Sequence, residues 1–173
     1  MLSVNEQNMK KLNDFFTKSK ICFLSTATRD VSIGDELQVK SCPMTIQEYD
    51  PETNRLSFFM LKSGSLYGDV QKNNNIGITL FDEQNSFYVS ANGMAYFTDE
   101  IEAKKKLFNI MTKAWFPEGP EDRELALMRV HLYAAEYWDA PNAKVVQLFQ
   151  IAKALINSES VKDEIGVHVK VNL

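Results

Sequence analysis

Histidine, cysteine and glycine are scarce in this chain, and each scarcity closes off a class of function. His131 and His168 are the only two histidines in 173 residues. Neither has a carboxylate or cysteine at the spacing that holds a metal, so both read as structural or surface residues. The two cysteines, Cys22 and Cys42, each lie in a strand-like apolar run and give no disulfide framework. A reduced, cytoplasmic compartment is expected. Seven glycines and five prolines leave no low-complexity linker, no repeat and no Gly-rich dinucleotide or P-loop pattern. No serine sits in a nucleophile elbow. The adjacent carboxylates Asp99-Glu100 and Glu121-Asp122 fall at a helix start and in a loop, where solvation accounts for them. A self-sufficient hydrolase is therefore disfavoured. Positive charge is also sparse: the net charge is -4, and Lys104-Lys105-Lys106 is the only basic cluster, read as the solvated face of a helix. Nucleic acid is not expected as a partner. No apolar run is long enough to span a membrane. The start, Met1 to Gln7, is polar and lacks the apolar stretch of a signal peptide, so no membrane association is expected.

What the chain does have is 45% hydrophobic residues in strand-like patterns. That suffices for a single domain over residues 1–173. An N-terminal helix over about 4–18 carries Met9, Leu12, Phe15 and Phe16 on one stripe, with Ser3 and Glu6 at capping-box spacing. Strands follow at Ile21–Thr26, at Leu37–Tyr49 with an edge or bulge at Pro43, and at Leu56–Leu61 after the turn Asp50-Pro51-Glu52-Thr53-Asn54. A short helix is expected from Ser63–Ser65 to about Asn73. Alternating strands then run through Ile76–Phe81 and Phe87–Phe97. A helix opening at Thr98-Asp99-Glu100 carries Ile101, Phe108, Met111 and Trp115 on one face, and a strand runs through Ala126–Tyr133. A C-terminal helix is expected over about 143–157, with residues 166–173 open between strand and tail. Five or six hairpin-linked strands with peripheral helices make the chain mainly β, an antiparallel barrel with a core over about 20–139.

Two features carry candidate chemistry. Lys62-Ser63-Gly64-Ser65 follows a strand and opens a helix, placing a cation, two hydroxyls and backbone N–H groups where a phosphate can dock. Its Ser63-Gly64-Ser65 also reads as an ordinary N-cap. The second feature is Trp115-Phe116-Pro117-Glu118-Gly119-Pro120, two large aromatics on a stiff corner. That corner is either a core plug or the wall of a site for something flat.

Four segments together resemble the pyridoxamine phosphate oxidase-like split-barrel flavoproteins, in their bacterial general stress protein branch. Ser41-Cys42-Pro43-Met44 is similar to that branch's Ser-Arg-Pro-Met strand, and Phe58 to Ser65 to its Phe-Phe-Thr-Ser-Lys segment. Tyr88-Val89-Ser90-Ala91-Asn92-Gly93 is similar to its Trp-Val-Ser-Val-Ser-Gly strand. Lys113–Gly119, with Ala135-Glu136-Tyr137-Trp138-Asp139, is similar to its Ala-Trp-Phe-Pro-x-Gly corner and Glu-Tyr-Trp-Asp strand end. The resemblance implies a six-stranded antiparallel split β-barrel and a homodimer, with one FMN per protomer in a cleft between subunits. It places the flavin ring along Ser41, Cys42, Pro43, Met44, Met60 and Leu61, and the phosphate near Lys62 and Ser65. Trp115 or Phe116 of the partner would close the pocket. The activity this leaves open is flavin-dependent oxidation–reduction.

The chain departs from that pattern at two donors. Cys42 stands where the branch has arginine, and Leu66 where it has a basic residue. At about 1.5–3 kcal/mol per charge-assisted contact, losing both weakens FMN by about two to four orders of magnitude. Lys40, on the same side of its strand as Cys42, reads either as a compensating cation or as a solvated one. The final Val169-Lys170-Val171-Asn172-Leu173 lacks the Arg-Leu-x-Pro ending of true pyridoxamine phosphate oxidases, so that reaction is not expected. The alternative function is a cofactor-free dimeric module for another flat or phosphorylated ligand. A haem-binding barrel ranks lower, because neither histidine has an axial role.

Overall fold

Strict two-residue alternation, interrupted only where a bulge resets it, lets six strands share one interior. The computed structural model describes residues 4–30, 35–139 and 167–173. In chain order the elements are α1 (Val4–Lys18), β1 (Ile21–Asp30), β2 (Glu36–Asp50), β3 (Arg55–Leu61), α2 (Ser65–Lys72), β4 (Asn75–Asp82) and β5 (Phe87–Thr98). They are followed by α3 (Ile101–Leu107), α4 (Ile110–Lys113), β6 (Leu125–Asp139) and β7 (Val167–Asn172). The sheet order is β3-β2-β1-β4-β5-β6-β7, and a further β3–β6 pairing closes the first six strands into a ring. Every pairing is antiparallel. This is the expected mainly-β split barrel. The expected C-terminal helix lies outside the described residues.

Inward positions form one core: Cys22 and Leu24 on β1, Leu56, Phe58 and Met60 on β3, Ile76, Ile78 and Leu80 on β4, and Met128, Val130 and Leu132 on β6. β6 then changes phase. Its register against β5 slips between Asn92 and Gly93, so that Ala135 and Tyr137 point inward where even-numbered residues did before. Gly93 makes the slip feasible, because a Cβ there would lie 2.5 Å from Val130 Cγ1 and 2.8 Å from the His131 carbonyl. The β2–β3 turn holds together through Asp50. Its carboxylate accepts from the Glu52 N–H (3.0 Å), the Thr53 hydroxyl (2.7 Å) and Arg55 (3.1 Å), while Asn54 takes a positive φ of 48°.

α1 caps one part of the barrel. Leu12 and Phe16 are fully buried, and Phe16 packs on Tyr49 at 5.0 Å between ring centroids. Tyr49 and Tyr137 donate to Asn13 and Asn8, each at 2.7 Å, and Lys11 pairs with Asp139. These polar links fix the helix in register over its apolar face.

Two sequence expectations need correction. The helix expected through residues 98–115 is broken: the Asn109 side chain accepts from the N–H groups of Met111 and Thr112, which starts α4 afresh and separates it from α3. The one-face pattern therefore splits, and Phe108 packs inward while Ile110, Met111 and Trp115 stay exposed. Lys104 is also not part of a solvated face. It is buried, and donates to the Leu125 carbonyl (2.9 Å) and to Asp99 (3.2 Å).

Candidate functional site: the split between two strands

The barrel opens where β2 and β3 part. Their pairing runs from Asp50↔Arg55 to Ile46↔Phe58, with a bulge between Ile46 and Glu48. Beyond that point β2 keeps β1 as its partner and β3 keeps β6. Carrying the Ile46↔Phe58 register onward would set Pro43 opposite Leu61. Proline has no N–H to offer, so the ladder cannot continue there. Ile46 donates to the Lys20 carbonyl on the β1 side at 2.8 Å. By alternation, the backbone groups of Ser41 and the carbonyl of Pro43 turn toward the split. On the other lip, Lys62 N–H bonds Glu124 O at 2.9 Å, which turns the Leu61 N–H toward the split as well. Sequence reasoning gave an edge or bulge at Pro43; the chain has the edge at Pro43 and the bulge three to five residues on.

The structure brings together most of the residues expected around a flat ring. Ser41, Pro43 and Leu61 are exposed on the two lips, and Cys42 and Met44 are half-buried beside them. The Ser41 hydroxyl is 2.7 Å from that of Ser25. Met60 differs: its side chain is buried in the barrel core, and its backbone turns to Ala126 of β6, away from the split. The Cys22 and Cys42 thiols are not poised as nucleophiles. Burial, with the neighbouring Cys42, pushes Cys22 up to about 12, and burial raises Cys42 as well.

The aromatic corner divides its two side chains between the two readings. Phe116 is buried with Phe59, Leu125 and Leu127 in a second cluster on the outer face of β3 and β6, against Phe108 and Leu107. It is a plug that anchors the corner to the strand forming one lip of the split. Trp115 is 74% exposed, uncovered by the described residues.

The expected anion end is built differently from the sequence expectation. Lys62 lies 3.6 Å from Asp99, which also receives Lys104. Those two lysines, the Lys104 hydrogen bond foremost, hold the Asp99 carboxyl below its usual range, so it is ionised at neutral pH. The Ser63 N–H donates to Glu124 Oε2 at 3.0 Å, and the Gly64 N–H turns back to Leu61 O at 3.1 Å. Gly64 is the N-cap of α2 without a side-chain cap bond, so neither serine caps the helix, and Ser65 is exposed. Lys40 is exposed but committed: it pairs at 3.1 Å with the buried Asp69 of α2. Leu66 packs against the barrel core, which explains an apolar residue there. Asp69, Asp99 and Glu124 were not singled out from sequence as partners of this end. They lie 29, 37 and 61 residues from the groups they meet, and no local pattern signals such pairings.

Elsewhere, His131 Nδ1 lies 2.9 Å from the Thr53 carbonyl. His168 stacks on Trp138 at 4.8 Å and pairs with Glu136 at 3.1 Å. Among the described residues there is no group of side chains that could hold a metal, and no helix long and apolar enough to cross a membrane.

Known proteins share this framework. The chain is 23% identical to protein bli-3 of Neurospora crassa, over 89% of this chain and 75% of that protein. A Jannaschia sp. CCS1 structure assigned to general stress protein 26 superposes with a TM-score of 0.69, at 20% identity, over 97% of this chain and 99% of the other. The general stress FMN/FAD binding protein of Xanthomonas citri superposes with a TM-score of 0.59, at 20% identity, over 91% and 97%. The model of the family described as pyridoxamine 5'-phosphate oxidase like matches residues 7–162. With a split six-stranded ring, the Pro43 edge and a family match over nearly its whole length, the chain belongs to the pyridoxamine 5'-phosphate oxidase-like family.

Proposed function

We propose that this protein is a homodimeric binding protein for a flat heterocycle of the flavin class, seated in the split between β2 and β3. One observation carries the reading: the backbone of Ser41 and the Pro43 carbonyl on one lip, and the Leu61 N–H on the other, lack a ladder partner among the described residues and lie beside exposed and half-buried apolar surface. A flat ring with polar atoms on its rim needs both, since backbone donors and acceptors fix its orientation while apolar faces sandwich it.

Dimerisation is supported by apolar surface that the described residues leave uncovered. On the outer faces of β1 and β2, Ile21, Phe23, Leu37 and Val39 are 43–70% exposed, and Trp115 stands out from its corner. Such patches are typical of surfaces that a partner covers. Trp115 of one protomer is assigned as a wall over its partner's split.

The ring end suits the FMN of the resembling branch. The phosphate end does not, because Cys42 and Leu66 supply no charge and Lys40 and Lys62 already have carboxylate partners. No oxidation–reduction step is derived from these residues. The same pairing favours the second reading, a dimeric module with no flavin. Overnight incubation with excess riboflavin or FMN, gel filtration and a visible spectrum test the proposal, with sedimentation giving the oligomeric state. Retained flavin absorbance on a dimer is the expected result. A monomer, or a protein that neither retains nor quenches either flavin at about 100 µM, where binding is worth only about 5.5 kcal/mol, would remove it.

A further inference from the structure

We infer that the ligand's tail is uncharged: the site takes a flavin ending in a neutral polyhydroxyl chain in preference to one ending in a phosphate. This rests on the flavin reading above and names the ligand class within it.

The grounds are the internal contacts of the loop at residues 62–65 and its surroundings. A phosphate site at a strand-to-helix loop works by offering spare cations and spare N–H groups. Here Lys62 has Asp99, Lys40 has Asp69, and the Ser63 N–H has Glu124. Lys104, the third cation at this end, is buried between Asp99 and the Leu125 carbonyl. Lys62 and Lys104 share Asp99, Lys40 has Asp69, and Glu124 adds a third carboxylate on the Ser63 N–H, so the charges of these six side chains cancel and an incoming dianion finds no net positive charge among them. It would also have to displace Glu124 from Ser63 and share Lys62 with an ionised Asp99. Both carboxylates are solvent-facing, with Asp99 at 80% side-chain exposure and its carboxyl held below the usual range by its two lysines.

A polyhydroxyl tail meets the same groups as partners. Hydroxyl donors suit carboxylate acceptors, and the exposed Ser65 hydroxyl can donate or accept. The two losses noted in the sequence therefore have company. Cys42 and Leu66 remove positive charge from this end, while Asp99 and Glu124 take up what remains. All four residues act in one direction, against a phosphate.

The test is a pair of fluorescence-quenching titrations, with riboflavin and with FMN, on the full chain and on two variants, Asp99→Asn and Glu124→Gln. Both substitutions fall on exposed side chains, and circular dichroism confirms folding. The expected result is riboflavin binding at least as tightly as FMN in the unmodified protein. In each variant FMN gains about tenfold relative to riboflavin, the size of one charge-assisted contact. FMN more than tenfold tighter than riboflavin in the unmodified protein overturns the inference and leaves the flavin reading standing. So does a riboflavin-to-FMN ratio that neither substitution moves. Failure of both flavins to bind removes the flavin reading and this inference with it.

Discussion

Truncating the two aromatics of the corner separately should give opposite results. Phe116 is 4% exposed and packs on Phe59, Leu125 and Leu127, with Phe108 and Leu107 around them. Phe→Ala changes at buried positions cost about 3–5 kcal/mol, the cavity term included. This cluster is a small one on the outer face of the barrel and its cover is partly exposed, so it can relax; the low end, about 3 kcal/mol, is expected. For a chain of this length that corresponds to a fall in Tm of about 6–12 °C. Trp115 is 74% exposed, so Trp115→Ala should change the stability of the isolated fold by no more than about 0.5 kcal/mol. Urea unfolding followed by far-ultraviolet circular dichroism suits both variants, since the signal does not depend on the indole. Run at two protein concentrations tenfold apart, it also separates packing within a protomer from packing between protomers. The Phe116→Ala cost should be the same at both concentrations, whereas any Trp115→Ala cost should grow with concentration. A Phe116→Ala loss below about 1 kcal/mol would refute the plug. A large, concentration-independent Trp115→Ala loss would show that the indole is packed within its own chain.

Gly93→Ala should destabilise by about 2–3 kcal/mol through overpacking, because the new methyl meets the His131 carbonyl as well as the Val130 side chain; a thermal midpoint within 2–3 °C of the unmodified protein, less than about 1 kcal/mol, would remove the bulge from the account. Acid should destabilise the fold in a defined window. Asp50, Asp82, Asp99 and Glu136 have depressed carboxyl values, led by hydrogen bonds from Thr53, Asn85, Lys104 and Lys170 respectively. The stability they add is complete above the unfolded carboxylate range, about pH 4–4.5, and is lost as pH falls through their lower folded values. A urea midpoint unchanged between pH 4.5 and pH 2.5 would contradict this. Alkali should act through Cys22 and Tyr49, both pushed up to about 12 chiefly by burial. Their contribution is whole below the unfolded thiol and phenol values, about 8.5 and 10, and disappears as pH climbs toward 12. A native protein whose Cys22 reacts with a thiol reagent at neutral pH as fast as an unfolded one would contradict that burial.

The strands were legible because their pattern is local. Ile76, Ile78 and Leu80, or Phe87, Val89 and Ala91, declare a buried face through side-chain period alone, and the structure buries those residues. Pro43 was legible for a similar reason, since a missing N–H constrains the ladder wherever the strand lies. The helix through residues 98–115 misled because its apolar spacing is compatible with one helix, and the period does not reveal that Asn109 restarts it. Lys104 misled in the same manner: three consecutive lysines suggest solvent, and only the nearby Leu125 carbonyl and Asp99 make a buried ammonium affordable.

The sequence by itself therefore determined the barrel, its Pro43 edge and the absence of charge at Cys42 and Leu66, since each follows from residue type and short-range spacing. Tertiary structure alone decided what became of the remaining charges. Lys40, Lys62 and the Ser63 N–H meet Asp69, Asp99 and Glu124 across 29 to 61 residues of chain. It likewise decided that Phe116 turns inward and Trp115 outward. Both outcomes depend on how distant strands and helices come together, and a carboxylate three ångströms away leaves no trace in the residues beside a lysine.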